Sequence, residues 1–194
     1  DEASNFTASL LRNSGVPGLV VSPDSDQAPM QGDVDAVKQY FKEMFRISKE
    51  QIIWGGSYFA SKLKDGTSWL AWDKGIGEDA SFSGFELAWT SFEGRFRLYR
   101  HRWSGMIRAG SRDEELADRV HPTQKPVGLF CQILEDFSSS GDVISDPYLG
   151  SGSTLIACER LGRIAYCMEI EPRYVQSAIE RWQRYTGKQA VKVN

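Results

Sequence analysis

Histidine and cysteine are scarce in this chain. Its 194 residues hold two histidines and three cysteines, and no two of Cys131, Cys158 and Cys167 form a Cys-x-x-Cys pair. A structural zinc site, which draws on several such ligands at close spacing, is not expected, and neither is a disulfide framework. The expectation is small buried thiols in a reducing cytosol. Long apolar runs are missing too. None approaches the ~20 residues that span a bilayer, and no signal-peptide pattern stands at the start. A cytoplasmic protein with no membrane partner is expected. There is no repeat and no low-complexity tract. Nor is there an excess of positive charge: 26 acids against 23 bases give −3, which taken alone speaks against a general nucleic-acid coat.

What is present is unevenly placed. From Arg95 to Arg112 the chain carries six arginines, one histidine and no acid. Six of the 23 bases fall there, leaving 17 against all 26 acids, so a +6 segment sits on a −9 body. Hydrophobic residues at 41% and charged residues at 25% suit a soluble globular protein. The length suits one domain with a sizeable core.

The patterning predicts these elements. Gly18–Val21 reads as a short buried strand, followed by a loop from Ser22 to Asp33. Val34–Ile47 has one apolar face at three-to-four spacing, with Asp33 as N-cap. Gln51–Trp54, Trp69–Trp72 and Glu86–Thr90 read as strands, and Ser57–Leu63 as a short helix. Arg95–Tyr99 interleaves arginine with apolar side chains, a strand with one basic face. The tryptophans Trp54, Trp69, Trp72 and Trp89 are placed in strands and read as core. Pro126 suits the first turn of a helix to Phe137. Val143–Asp146 is a strand, Ser153–Leu161 a helix stopped by Gly162, Ile164–Glu169 a strand, and Pro172 opens a last helix to about Tyr185. Strand, loop, helix, strand, helix at this spacing means a parallel α/β sheet.

The most specific signal lies at 143–171. A strand delivers Asp146 to the carboxyl edge of the sheet, and the loop Tyr148-Leu-Gly-Ser-Gly152 follows. Gly150 and Gly152 permit a tight turn and a close ligand approach. The next strand ends in Glu169, with Glu171 two residues on; an acid there can accept both hydroxyls of a ribose. The loop lacks the Gly-Lys-Ser/Thr ending and the full Gly-x-Gly-x-x-Gly spacing of a phosphate cradle. An aspartate at its entrance repels a pyrophosphate and welcomes an ammonium. An adenosine-containing cofactor with an ammonium and no phosphate, S-adenosylmethionine, is the expectation; a purely structural glycine turn is the rival.

These residues resemble the amino-methylating DNA methyltransferases in their permuted "β" order. Asp146-Pro-Tyr-Leu-Gly-Ser-Gly-Ser153 is similar to the family motif Asp-Pro-Phe-x-Gly-Ser-Gly-Thr, with Ser153 for the usual Thr. His121-Pro-Thr-Gln-Lys-Pro126 is similar to the motif before it, and Tyr166–Tyr174 to the ribose-binding strand with its helix. Gln51–Phe59, Trp69–Lys74 and Glu86–Phe92 look like a small branch common in phages and prophages. The resemblance spans roughly residues 18–185. It implies an α/β, Rossmann-like S-adenosylmethionine-dependent methyltransferase fold: a mixed, mostly parallel sheet with helices on both faces. It implies one domain over 1–194, with a small target-recognition insert at about 93–118. It also implies methyl transfer to the exocyclic amine of adenine, with cytosine second, in DNA. Carried over residue by residue, Asp146, Tyr148, Gly150, Ser151 and Gly152 line the methionine part of the cofactor. Glu169 holds the ribose, with Glu171 a weaker candidate. Thr123 and Lys125 help hold the methionine carboxylate.

One motif departs from the family pattern. The family's catalytic Asp/Asn/Ser-Pro-Pro-aromatic should follow the first strand, where this chain has Ser22-Pro23-Asp24-Ser25. In that motif the first side chain and the proline carbonyl accept hydrogens of the target amine, and the aromatic stacks on the flipped base. By position, Ser22 and Pro23 are the catalytic candidates; the second proline and the aromatic are absent. Three readings stay open. Part of the motif is missing from the sequence between Ser22 and Val34; or the chain binds cofactor and has lost catalysis; or an aromatic from elsewhere, such as Tyr58, substitutes. The basic segment falls where a target-recognition region belongs. Arg95, Arg97, Arg100, Arg102 and Arg108 are therefore the candidate DNA contacts, interleaved with Phe96, Tyr99 and Trp103. A solvated strand face is the bland alternative. So small a segment would read little sequence unaided, which leaves room for a homodimer or a partner subunit.

Overall fold

The structure, a computed structural model, describes residues 18–22, 34–65, 68–77, 83–104, 107–108 and 124–193. Its centre is a seven-stranded sheet. In chain order the elements are β1 (Gly18–Ser22), α1 (Val34–Ile47), β2 (Glu50–Trp54), a 3-10 helix (Gly56–Lys62), β3 (Ser68–Asp73), β4 (Phe85–Thr90) and β5 (Arg97–Arg100). A two-stranded ribbon follows, β6 (Trp103–Ser104) and β7 (Ile107–Arg108). Then come α2 (Val127–Phe137), β8 (Val143–Asp146), α3 (Ser153–Leu161), β9 (Ile164–Cys167) and α4 (Pro172–Thr186). The sheet order is β5-β3-β4-β2-β1-β8-β9. β2, β1, β8 and β9 run parallel, and β4 is antiparallel to both neighbours, β2 and β3. β5 runs parallel to β3. Only β4 is reversed, so the sheet is mixed and mostly parallel, as the family resemblance implies.

This order has a consequence for ligand binding. β1 connects through α1 to β2 on one side, whereas β8 connects through α3 to β9 on the other. Right-handed crossovers leaving in opposite directions put their helices on opposite faces. Two buried clusters record this. Ile52, Trp54, Leu70, Trp72 and Ala88 pack with α2 and α3 on one face. Ile53 and Trp89 pack with Phe41 and Met44 of α1 on the other. Consecutive strand residues alternate between the two faces, the period of two that a sheet buried on both sides demands. The neighbouring ends of β1 and β8 form the topological switch point, where open α/β sheets bind ligands.

Local chemistry explains the helix ends. Val127, Leu129, Phe130, Ile133, Leu134 and Phe137 give α2 a wide buried face. α3 stops at Gly162, whose φ of 69° is the left-handed cap a side chain would resist. Two expected strands shift. β9 ends at Cys167 and not at Glu169, because its neighbour β8 stops at Asp146 and Met168 O then accepts from Leu149 N–H of the loop. The basic strand is Arg97–Arg100, not Arg95–Tyr99, and Tyr99, on the same strand face as Arg97, is buried. The ribbon β6–β7 was not anticipated. Trp54, Trp72 and Trp89 are almost wholly buried, and Trp69 is packed against the α1-side cluster, as expected. Among the described residues no helix is long and apolar enough to cross a membrane.

Candidate functional site

β8 ends in Asp146, which is buried at the carboxyl edge of the sheet. Burial pushes its carboxyl up from 3.8 to about 6, against the Thr154 hydroxyl and the Tyr148 amide, which favour the charged form. The Tyr148 N–H donates to Asp146 Oδ1 at 3.1 Å. The Tyr148 ring meets Tyr40 of α1 edge to face at 5.6 Å, so the loop after β8 is packed against the helix that follows β1.

Glu169 and the glycine loop hold one another. The Gly150 N–H donates to Glu169 Oε2 at 2.8 Å, and the Glu171 N–H to Oε1 at 2.9 Å. Each carboxylate oxygen accepts more than one hydrogen, so capacity for two hydroxyls remains. Gly152 N–H is also used internally, by Leu149 O at 3.1 Å. The loop amides are thus largely committed, which suits a ligand without phosphate. Gly152 has φ 86°, and a Cβ there would lie 3.0 Å from the Ala178 Cβ. Glycine lets α3 and α4 approach at this point.

From behind, the loop is tied to two other elements. Ser153 Oγ donates to Lys125 O at 2.7 Å. Arg181 of α4, buried, donates to Ser151 O and to Ser153 Oγ, each at 3.2 Å. Ser151 is itself buried. Lys125 therefore lies against the loop.

The structure brings Asp146, Tyr148, Gly150, Ser151, Gly152, Glu169 and Lys125 together at one edge. Lys125 is buried, and its Nζ is 3.2 Å from Glu86 Oε2 and 5.4 Å from the centre of the Trp54 ring. Glu86 was not singled out from the sequence. The available signal was a lone acid opening an otherwise uncharged strand, Phe85-Glu-Leu-Ala-Trp-Thr90. Ser22 ends β1, whose neighbours are β2 and β8, and so stands at the switch point. Pro23, His121 and Thr123 lie outside the described residues, as does the loop from 23 to 33. Tyr58, 64% exposed, stands in the 3-10 helix just beyond β2.

The basic segment behaves unevenly. Arg95 Nη1 donates to Asp136 O at 3.2 Å, and Arg97 Nε lies 3.6 Å from Asp136 Oδ2. The Tyr99 hydroxyl donates to the same carboxylate at 2.7 Å. Arg100 lies 3.8 Å from Asp73 and keeps 75% of its side chain exposed. Arg102 is exposed. Arg108 closes β7. Among the described residues no cluster of His, Cys, Asp or Glu could hold a metal ion.

A family profile described as DNA methylase matches residues 31–180. The chain is 38% identical over 63 residues to the type II methyltransferase M.HpaI of Haemophilus parainfluenzae, which is 32% of this chain and 20% of that protein. It is 41% identical over 61 residues to the type II methyltransferase M2.DpnII of Streptococcus pneumoniae, 31% of this chain and 23% of that one. The chain therefore spans about a fifth of the length of these curated relatives. The crystal structure of the M1.HpyAVI–SAM complex superposes with a TM-score of 0.68 at 20% identity, covering 94% of this chain and 96% of that one. This last likeness shows a shared methyltransferase fold.

Proposed function

The chain belongs to the DNA methylase family matched over residues 31–180, and on that premise we propose that it transfers a methyl group from S-adenosylmethionine to the exocyclic amine of adenine in DNA, with cytosine the second choice. The observation that carries the reading is Asp146 and Glu169 at the carboxyl ends of two adjacent parallel strands, bridged by a glycine loop whose amides are already engaged. A buried acid beside the loop suits the α-ammonium, Glu169 suits the ribose hydroxyls, and the loop suits a ligand with no phosphate. When bound, S-adenosylmethionine supplies an electrophilic methyl on a sulfonium.

The chain's own residues then have these roles. Asp146, Tyr148, Gly150, Ser151 and Gly152 line the methionine end, with Lys125 and Thr123 toward its carboxylate. Ser22, the last residue of β1, and the Pro23 carbonyl would accept the hydrogens of the target amine. Held this way, the amine nitrogen would present its lone pair to the methyl that the bound cofactor would supply, and the proton it sheds would pass to solvent. No thiolate relay takes part. Burial pushes the Cys158 thiol up to about 12 and Cys167 well above its ordinary value.

The target-recognition role falls on the segment at about 93–118, within one domain over 1–194. Arg100 and Arg102 carry most of the DNA contact there, because Arg95 and Arg97 are turned to the end of α2. Arg108 joins them from the ribbon. A reducing, cytoplasmic setting fits the three free cysteines. A homodimer or a partner subunit would complete the recognition surface.

One observation favours a second reading, a methyltransferase-like protein that binds cofactor and DNA without transfer: the run Ser22-Pro23-Asp24-Ser25 lacks the second proline and the aromatic. Incubating the chain with DNA and S-adenosylmethionine labelled in the methyl group separates the two. Label in adenine of the digested DNA is expected; cofactor binding with no labelled base would replace the first reading by the second.

A further inference from the structure

At the carboxyl edge of the sheet Lys125 belongs to a charge cluster whose other two members, Glu86 and Lys74, have no part in the proposed chemistry. β4 is the reversed strand, so its amino end, Phe85-Glu86, lies at the same edge as the carboxyl ends of β2 and β8. Glu86 is the one charged residue of β4. Its Oε1 is 2.8 Å from Lys74 Nζ and its Oε2 is 3.2 Å from Lys125 Nζ. Each ammonium lies over an indole: Lys74 at 5.3 Å from the Trp72 ring centre, Lys125 at 5.4 Å from that of Trp54. The Lys125 side chain is only 6% exposed.

We propose, resting on the cofactor reading above, that Glu86 is a positioning residue for the cofactor site: it fixes the Lys125 ammonium over Trp54, facing the methionine end of the bound cofactor. Three features support this. First, the charge on Lys125 also acts on Asp146, lowering its carboxyl against the rise that burial causes. Lys125 is thus within electrostatic reach of an acid on β4 and an acid on β8, with β2 and β1 between them. Secondly, burial raises the Glu86 carboxyl, but Lys125 and Lys74 outweigh it and hold it ionised. Thirdly, a buried ion pair is poor value as a stabiliser, since well-packed apolar residues usually do as well. A Lys–Glu–Lys cluster between two indoles at the ligand edge is better explained by what it places. A lysine carries a compact point charge on a flexible four-carbon stem; the ring below and the carboxylate beside it restrict where that charge can sit.

The test is binding of S-adenosylmethionine to the full chain by calorimetry, in a cycle of E86Q, K125M and the double variant, with thermal melts of each. E86Q is expected to weaken binding roughly fivefold or more, K125M to weaken it further, and the double variant to bind no worse than K125M, because Glu86 acts through Lys125. E86D, which keeps the charge, is expected to recover part of the loss. Binding by E86Q within about twofold of the parent, or losses that multiply in the double variant, would overturn the inference. If E86Q does not fold, the cycle is run with E86D, and multiplying losses there overturn it equally. A parent chain that does not bind S-adenosylmethionine at all removes the cofactor reading and this inference with it, a result distinct from normal binding by E86Q.

Discussion

Asp146→Asn is expected to make the protein more stable and unable to bind its cofactor. Burial raises the Asp146 carboxyl from 3.8 to about 6. The shift is about two units at about 1.36 kcal/mol each, so ionised Asp146 costs the folded chain roughly 3 kcal/mol at neutral pH. Asparagine stands in for the protonated acid. Its oxygen still accepts the Tyr148 N–H, but its NH₂ must find an acceptor where the Thr154 hydroxyl now donates, an offset of about 1 kcal/mol. A net gain of about 1–2 kcal/mol remains, which is a few degrees in Tm for a chain of this size. The sign with pH is fixed. A carboxyl raised in the folded state contributes stability that is full below 3.8 and is lost as pH rises through about 6. The asparagine variant should therefore lead the parent most at neutral pH and lose its lead towards pH 4. Urea titrations of both proteins across that range measure the gap, and calorimetry measures cofactor binding. An asparagine variant less stable than the parent at neutral pH, or a gap that does not change with pH, would refute the reasoning.

Three further outcomes are expected. Because the ammonium of the ligand needs the ionised acid, the parent's affinity for S-adenosylmethionine should fall as pH drops through about 6, read by binding titrations at fixed salt; flat affinity down to pH 5 would assign the ammonium elsewhere. Gly152→Ala forces a side chain to φ 86° and against Ala178, at a cost of roughly 1–3 kcal/mol that a thermal melt will show. In DNA-binding titrations against salt, Arg100→Ala and Arg102→Ala should each lower the slope by about 0.9, whereas Arg97→Ala, whose partner is Asp136, should leave it nearly unchanged.

Much of this molecule could be read ahead of its structure because its signals are local. The glycine loop, the acid two residues before it and the helix stop at Gly162 are each decided within a few positions. So is the alternation that sends Ile52 and Ile53 to opposite faces. What could not be read depends on distant partners. The arginine strand looked like a free basic face because no acid lies between Arg95 and Arg112. Its neutraliser, Asp136, sits at the end of α2, 37 residues beyond Tyr99, and takes the Tyr99 hydroxyl as well as Arg97. Glu86 was missed for the same reason. It is paired from two elements, Lys74 beyond β3 and Lys125 ahead of α2, and only the reversed β4 brings all three to one edge.

The charge imbalance can now be followed to particular places. The +6 of Arg95–Arg112 is not one surface: two of its arginines brace β5 against α2, and Arg100 and Arg102 remain outward. The −9 body is likewise divided. Asp146 is kept as a costly buried acid, Glu169 is spent on loop amides with capacity to spare, and Glu86 is held between two lysines. Asp146 is under a burial penalty that its neighbours fail to cancel, whereas the two lysines beside Glu86 outweigh the burial there. A fold under selection for stability alone has no use for such a residue, since asparagine fits the same space. Its presence at the switch point between β1 and β8 is therefore a physical reason to place a cationic group of a ligand there.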